Sequence, residues 1–357
     1  MMNQIAVPAG SPLDVLVIGG GQAGLAMGYH LAQSGRTFQI VDASAQIGQA
    51  WRSRWDSLRL FTSGRYDNLP GLPFPAAPDT YPGKDDVARY LQAYAAKFNL
   101  PVRLNARVTS LTRSGRGYVA KAGGEALEAR QVVVATGPFQ VPFTPPSADA
   151  LDPGVHQVHS ARYRHPQSVP PGRVLVVGAA NSGCQIAQEL SATHRVELAA
   201  GQRLPAIPQR PLGRDVWAWA TALRLDKVTA DSRLGQRLAG RDQVIGPGPR
   251  QLARRQGIRI RPRAASGAGQ TVTFADGSAA EFDAVVWATG FTTDHSWIDI
   301  HEAKDDQGNI RHQRGVTPSP GLYMLGLTWQ HTRGSALLGW VGSDAAFLAR
   351  QITSRHG

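Results

Sequence analysis

Short apolar runs that end in glycine alternate along this chain with amphipathic stretches. Leu13 to Ile18 (LDVLVI) is mostly apolar and β-branched and runs into Gly19-Gly20-Gly21, the pattern of a strand buried on both faces that enters a tight turn. Ala23 to Gln33 (AGLAMGYHLAQ) suits a helix that Ser34-Gly35 ends, and Phe38 to Val41 predicts a second strand finishing at Asp42. The same order recurs at Val174 to Val177 (VLVV), Gly178 to Gly183, a helix through Ser191 and a strand over Val196 to Ala199. The spacing is too long for a solenoid repeat, so the two segments read as two βαβ nucleotide-binding units.

The remaining pattern fills out these units. Asp85-Asp86 open a helix whose apolar Val87, Leu91, Tyr94 and Phe98 keep helical spacing, with acids at the positive end of its dipole. Val102 to Leu111 and Tyr118 to Ala122 read as a β-meander, and Gln131 to Ala135 as a buried strand stopped by Thr136-Gly137-Pro138. Residues 138–172 are Pro-rich and read as an interdomain linker, while 204–249 form an Arg- and Pro-containing insertion with Trp217 and Trp219, open to reading as a lid. Strands are expected near Ile258 to Ile260, Thr271 to Phe274 and Phe282 to Trp287, the last ending in Ala288-Thr289-Gly290. A final strand at Leu322 to Leu325 and a helix after about Ser335 would return to the first domain. The fold class is therefore α/β, with two Rossmann-like dinucleotide-binding domains, the second inserted in the first. Residues 1–170 and 285–357 form one and 171–284 the other.

Composition narrows the function. At 357 residues, with 42% hydrophobic and 18% charged side chains, the chain suits two globular domains. No basic start followed by an apolar run opens it and no stretch approaches a bilayer span, so a cytoplasmic protein without a membrane partner is expected. The single cysteine, Cys184, excludes a disulfide framework, a CxxC redox pair and a multi-cysteine zinc site, and no metal is expected. Residues 202–263 hold thirteen Arg and one Lys against four Asp, most of the net charge of +12. Without interleaved aromatics or a nucleic-acid motif, that excess reads as steering of a polyanionic cofactor or as a solvated face, not as nucleic-acid binding.

Gly19-Gly20-Gly21-Gln22-Ala23-Gly24 matches GxGxxG between a strand and a helix, with Asp42 ending the next strand. Gly19 permits the turn, Gly21 lets pyrophosphate approach the backbone, Gly24 allows close packing, and Asp42 can accept from a ribose diol. The second loop, Gly178-Ala179-Ala180-Asn181-Ser182-Gly183, replaces the middle glycine with alanine but keeps its strand–helix context. No acid ends the strand after it, while Arg203 follows, which favours NADPH, with NADH use expected alongside.

Together with Gly48-Gln49-Ala50-Trp51, Trp55 to Leu60 (WDSLRL) and Trp287-Ala288-Thr289-Gly290-Phe291, these motifs resemble the flavin-containing monooxygenases over nearly the whole chain, most closely small bacterial members and plant indole-3-pyruvate monooxygenases. The resemblance implies that the first loop and Asp42 bind FAD, that Gln49, Trp51 and Leu58 line it, and that Gly178 to Gly183 binds NADPH. Ala135-Thr136-Gly137 and Ala288-Thr289-Gly290 would connect the domains. It also implies a C4a-hydroperoxyflavin that oxygenates a soft nucleophile, a sulfide or amine, using molecular oxygen; a homodimer is compatible with it.

Three positions depart from the family. The fingerprint FxGxxxHxxxY survives only as His159 to Tyr163, with Pro153 and Val155 at the Phe and Gly positions, and His159 reads equally as a linker residue with a backbone partner. Tyr163 stands where Baeyer–Villiger enzymes carry tryptophan. Phe61 occupies the place of an Asn that supports the oxygenated flavin in many members, and phenylalanine donates no hydrogen bond. These three are the candidate catalytic positions. An NAD(P)H:acceptor reductase or oxidase with the same cofactors remains the rival, as does a redox-sensing binding protein; the missing second cysteine opposes a disulfide reductase.

Overall fold

The computed structural model describes residues 12–115, 117–202, 205–239 and 243–355. The first half runs β1 (Leu13–Ile18), α1 (Gln22–Gln33), β2 (Phe38–Val41), α2 (Gln49–Arg52), α3 (Lys84–Lys97), β3 (Val102–Arg103), β4 (Val108–Ser114), β5 (Gly117–Ala122), β6 (Glu125–Val134) and β7 (Val141–Pro142). Then come β8 (His156–His159), β9 (Arg173–Val177), α4 (Asn181–Leu190), β10 (Arg195–Ala199), β11 (Ala206–Ile207), α5 (Val216–Ala222), α6 (Arg233–Ala239), β12 (Val244–Ile245), α7 (Pro249–Gln256) and β13 (Arg259–Arg261). The chain ends β14 (Ala264–Ala268), β15 (Thr271–Phe274), β16 (Ala279–Glu281), β17 (Ala284–Trp287), β18 (Phe291–Thr292), β19 (Ile298–Asp299), β20 (Leu322–Met324) and α8 (Val341–Ser354).

Two separate main sheets result. The first has the order β19-β4-β5-β6-β1-β2-β3, with β20 also paired to β6. Its nucleotide-binding part is parallel: β1 pairs in register with both β2 and β6, and β20 with β6. The second sheet, β13-β10-β9-β17-β8, is parallel throughout. β1 and β9 are buried on both faces, as parallel strands under helices must be. A Cβ on Gly28 of α1 would lie 2.8 Å from Ile40 Cδ1, so helix and sheet approach closely there. α8 returns to pack on α1, and β20 completes the first sheet, as the sequence pattern predicts.

Three elements differ from the sequence reading. Val102 to Leu111 is not one meander strand: Asn105 turns the chain with φ of 54°, leaving β3 parallel to β2 and β4 antiparallel to β5. The Pro-rich stretch 138–172 is more than a linker, because His156–His159 pairs with β17 as the edge of the second sheet. The terminal helix begins at Val341 and not near Ser335, after turns that include Gly334 and Gly339. Gly339 sits so close to the chain that a Cβ would lie 1.6 Å from the Tyr66 carbonyl oxygen.

Candidate functional site

The ends of β1 and β9 carry the same lock, built from two glycines and an alanine carbonyl. Gly19 turns the chain out of β1 with φ of 111°, and a Cβ there would meet the Ala135 carbonyl oxygen at 2.5 Å. Gly178 does the same after β9 with φ of 106°, its Cβ position lying 2.2 Å from the Ala288 carbonyl oxygen. Five residues on, Gly24 and Gly183 each touch the first glycine of their own loop; a Cβ would lie 1.8 Å from its carbonyl oxygen in both. Ala135 and Ala288 end strands adjacent to β1 and β9, which explains why Ala-Thr-Gly recurs in the sequence.

Each lock leaves a cradle open outward. A Cβ on Gly21 would meet nothing within 4 Å, and Gly21 at the N-cap of α1 offers no side-chain cap. The first amides of α1, reached through Gln22 and Ala23, are thus left for an anion. Ala180 likewise gives α4 no side-chain cap. Asp42 already accepts from the Gly20 amide at 2.6 Å and the Ser44 amide at 2.7 Å, which fixes the carboxylate at the loop while leaving lone pairs for a ribose diol. Trp51 donates to Gln22 Oε1 at 3.0 Å, and Gln22 donates to the Ala336 carbonyl at 3.0 Å, so α2, the first loop and the return segment are joined. Gln49 accepts from Gln46 at 2.7 Å, and Leu58 is buried.

The second cradle is tied to the insertion. Asn181 Oδ1 accepts from the Ile245 amide of β12 at 2.9 Å, leaving Ser182 beside it at the start of α4. The insertion also reaches the first half: the Ala230 amide donates to the His331 carbonyl at 2.7 Å, and Trp217 packs on Phe61 at 6.3 Å and on Trp340 at 4.7 Å. Phe61 therefore sits in an aromatic wall shared by both halves. Arg203 lies outside the described residues. Arg210 turns back onto the Gly213 carbonyl, whereas Arg263, which the sequence reading passed over, brings its stem beside Gly201 at the end of β10.

The two crossings between the sheets are bound to each other. β7 pairs with β18, the Phe143 amide donates to the Gly290 carbonyl at 3.0 Å, and Thr289 Oγ1 donates to the Phe143 carbonyl. Gln140 donates to Thr136 Oγ1 at 2.9 Å and to the Gly137 carbonyl at 2.8 Å. His159 joins this tie: its Nδ1 accepts from the Ala161 amide at 3.1 Å, and its Nε2 faces the Gly290 carbonyl at 3.0 Å. Burial, with the charge of Arg54 adding to it, holds this imidazole below its ordinary pKa. Tyr163 is fully buried and donates to Glu189 Oε2 at 2.7 Å; burial and that carboxylate raise its phenol. The structure thus gathers the glycine loops, Asp42, Trp51 and both Ala-Thr-Gly segments at the strand ends, places His159 at the hinge, and leaves Tyr163 in the core beneath α4.

Sequence reasoning missed Asp67. It is fully buried; Thr62 donates to Oδ1 at 2.6 Å, and Oδ2 has no partner. Burial, with the Asp215 charge adding, pushes its carboxyl up to about 7. Tyr66-Asp67-Asn68 has the composition of a surface turn, so no local signal marks it. Cys184 is inert, its buried thiol pushed up to about 12. No group of three or more metal-ligating side chains occurs among the described residues, and no helix there is long and apolar enough to cross a membrane.

Residues 16–209 match the family described as pyridine nucleotide-disulphide oxidoreductase. The chain is 46% identical over 341 residues to an uncharacterized oxidoreductase CzcO-like of Geobacillus kaustophilus, covering 95% of this chain and 98% of that one. It is 27% identical to the indole-3-pyruvate monooxygenase YUCCA1 of Oryza sativa subsp. japonica, covering 94% and 90%. A flavin-containing monooxygenase from Stenotrophomonas maltophilia superposes with a TM-score of 0.81 at 31% identity, covering 97% of this chain and all of that one. The chain belongs to the pyridine nucleotide-disulphide oxidoreductase family and is a flavin-dependent monooxygenase. The one buried cysteine cannot by itself form a dithiol relay.

Proposed function

We propose that this chain uses FAD at the first lock and NADPH at the second to insert one oxygen atom from molecular oxygen into a small soft nucleophile, a sulfide or an amine. The observation that carries the reading is the doubled lock: one chain holds two glycine cradles of the same geometry, each closed by an alanine carbonyl. Both fit a dinucleotide, because side chains are excluded where the turns close and the amides of the following helix are left uncapped. Bound FAD would supply the redox chemistry, accepting hydride from nicotinamide and activating oxygen.

The residues of this chain position and shield. Gly19, Gly21 and Gly24 with the start of α1 hold one pyrophosphate, and Asp42 holds the ribose. Gly178 to Gly183 hold the other, with Asn181 joining the nucleotide loop to the insertion, and Arg203 takes the 2′-phosphate. His159 and Tyr163 are positioning residues: the first pins the Ala288-Thr289-Gly290 crossing, and the second anchors the segment after β8 to α4. Phe61 and Trp217 exclude water without donating a proton. Turnover with oxygen-18 gas and a panel of sulfides, amines and ketones tests this reading by the mass of the product. A labelled sulfoxide or N-oxide is expected. NADPH consumption with hydrogen peroxide as the sole oxygen product would instead establish an oxidase, a reading that Phe61 favours because it lacks the donor an Asn would offer.

A further inference from the structure

Among the described residues, four of the seven exposed large apolar side chains lie on the insertion, the other three, Phe139, Val141 and Phe143, lying beside the crossing. Leu212 is 91% exposed, Leu223 65%, Leu234 48% and Leu225 44%. Two tips of the insertion, the turns at residues 211–213 and 223–225, both carry backbone strain: Leu212 has φ of 53°, and Arg224 has φ of 56°. A side chain disfavours that region, and water disfavours a leucine held in it, so the tips are built for something that covers them. They belong to one unit, because Trp219 of α5 donates to the Pro211 carbonyl at 3.1 Å beside the first tip, while Leu223 caps the C-terminal end of the same helix.

Charge decides what covers them. Arg210, Arg214, Arg224, Lys227, Arg233 and Arg237 are all exposed along residues 210–237, whereas Asp215 is buried and Asp226 half-buried, leaving Asp231 as the exposed acid of that stretch. A symmetric contact with a second copy would set this cationic rim against itself. An anionic lipid surface complements it, with leucines at the acyl boundary and guanidinium groups among the headgroup phosphates. We propose that the insertion docks this protein on an anionic membrane surface through Leu212, Leu223 and Leu225. No spanning helix is required, and the proposal stands apart from the oxygenation reading.

The test floats the full-length, flavin-loaded protein with vesicles of phosphatidylcholine alone or mixed equally with phosphatidylglycerol, at low and high salt. Binding to the anionic vesicles is expected to be about tenfold or more tighter than to the neutral ones and to weaken with salt. The combined variant Leu212→Ser, Leu223→Ser, Leu225→Ser and the combined variant Arg224→Gln, Arg233→Gln, Arg237→Gln should each lower it about tenfold while flavin absorbance and NADPH turnover persist. Absence of binding to anionic vesicles overturns the proposal. So does binding that the leucine variant leaves unchanged, or self-association that this variant abolishes in a protein that ignores vesicles, which would assign the patch to a second copy.

Discussion

Replacing Gly183 by alanine tests the second lock directly. A Cβ at that position would lie 1.8 Å from the Gly178 carbonyl oxygen, in the turn that forms the cradle, and 3.3 Å from Ala288 Cβ, at the end of the adjacent strand. Non-bonded carbon and oxygen do not approach below 3.0 Å, so the turn must open by about 1 Å. Overpacking of this kind costs about 1–3 kcal/mol. The displacement falls on the backbone that holds pyrophosphate, so the variant should bind NADPH about ten- to a hundredfold more weakly. FAD should stay bound, because the first lock lies at the end of a different sheet. The assay is anaerobic titration with NADPH, followed by flavin absorbance, beside Gly24→Ala as the mirror experiment. Gly24→Ala should be purified largely colourless and still bind NADP⁺. If Gly183→Ala expelled flavin and kept NADPH affinity, the two cradles would be assigned the wrong way round; if both affinities were unchanged, neither lock would matter for binding.

Three further outcomes follow from single residues. Folding raises the Asp67 carboxyl from 3.8 to about 7, so ionising it opposes folding; the cost builds as pH climbs from near 4 to 7 and is full above that, up to about 4 kcal/mol. Asp67→Asn should therefore unfold at higher denaturant than wild type at pH 8 but not at pH 4, and an equal gain at both would sink the explanation. Phe61→Asn restores a donor worth about 1.5–3 kcal/mol, so hydrogen peroxide released per NADPH should fall and oxygenated product rise; an unchanged ratio means that the position does not govern coupling. Arg203→Ala should lower kcat/KM for NADPH relative to NADH about tenfold or more, measured by steady-state oxidation of each, and an unchanged ratio would clear Arg203 of the phosphate role.

Much of the architecture is legible in the sequence because the nucleotide units are local. LDVLVI before GGGQAG and VLVV before GAANSG state strand, turn and helix within a few residues, and backbone closeness leaves only glycine at Gly19, Gly24, Gly178 and Gly183. What escapes is contact between distant segments. His156–His159 becomes a strand only because β17 lies beside it, and its Pro-rich surroundings hide that. Both nitrogens of His159 face backbone, a placement the motif alone left open. Asn181 looks like any loop residue until Ile245 is brought to it from the far end of the insertion. Asp67 is buried by segments remote in sequence, so its shifted carboxyl has no signature in Tyr66-Asp67-Asn68.

The paired crossings have a mechanical consequence. Two strands joining two bodies at separate points would let them slide, twist and tilt independently. Here β7 and β18 are zipped side by side, with Thr289, Gly290 and His159 fastening the same spot. Crossings paired in this way restrain sliding and twisting of one sheet against the other more than two separate strands would. A nicotinamide and a flavin held on the two sides of this joint would meet at a register that the zipped pair helps to set.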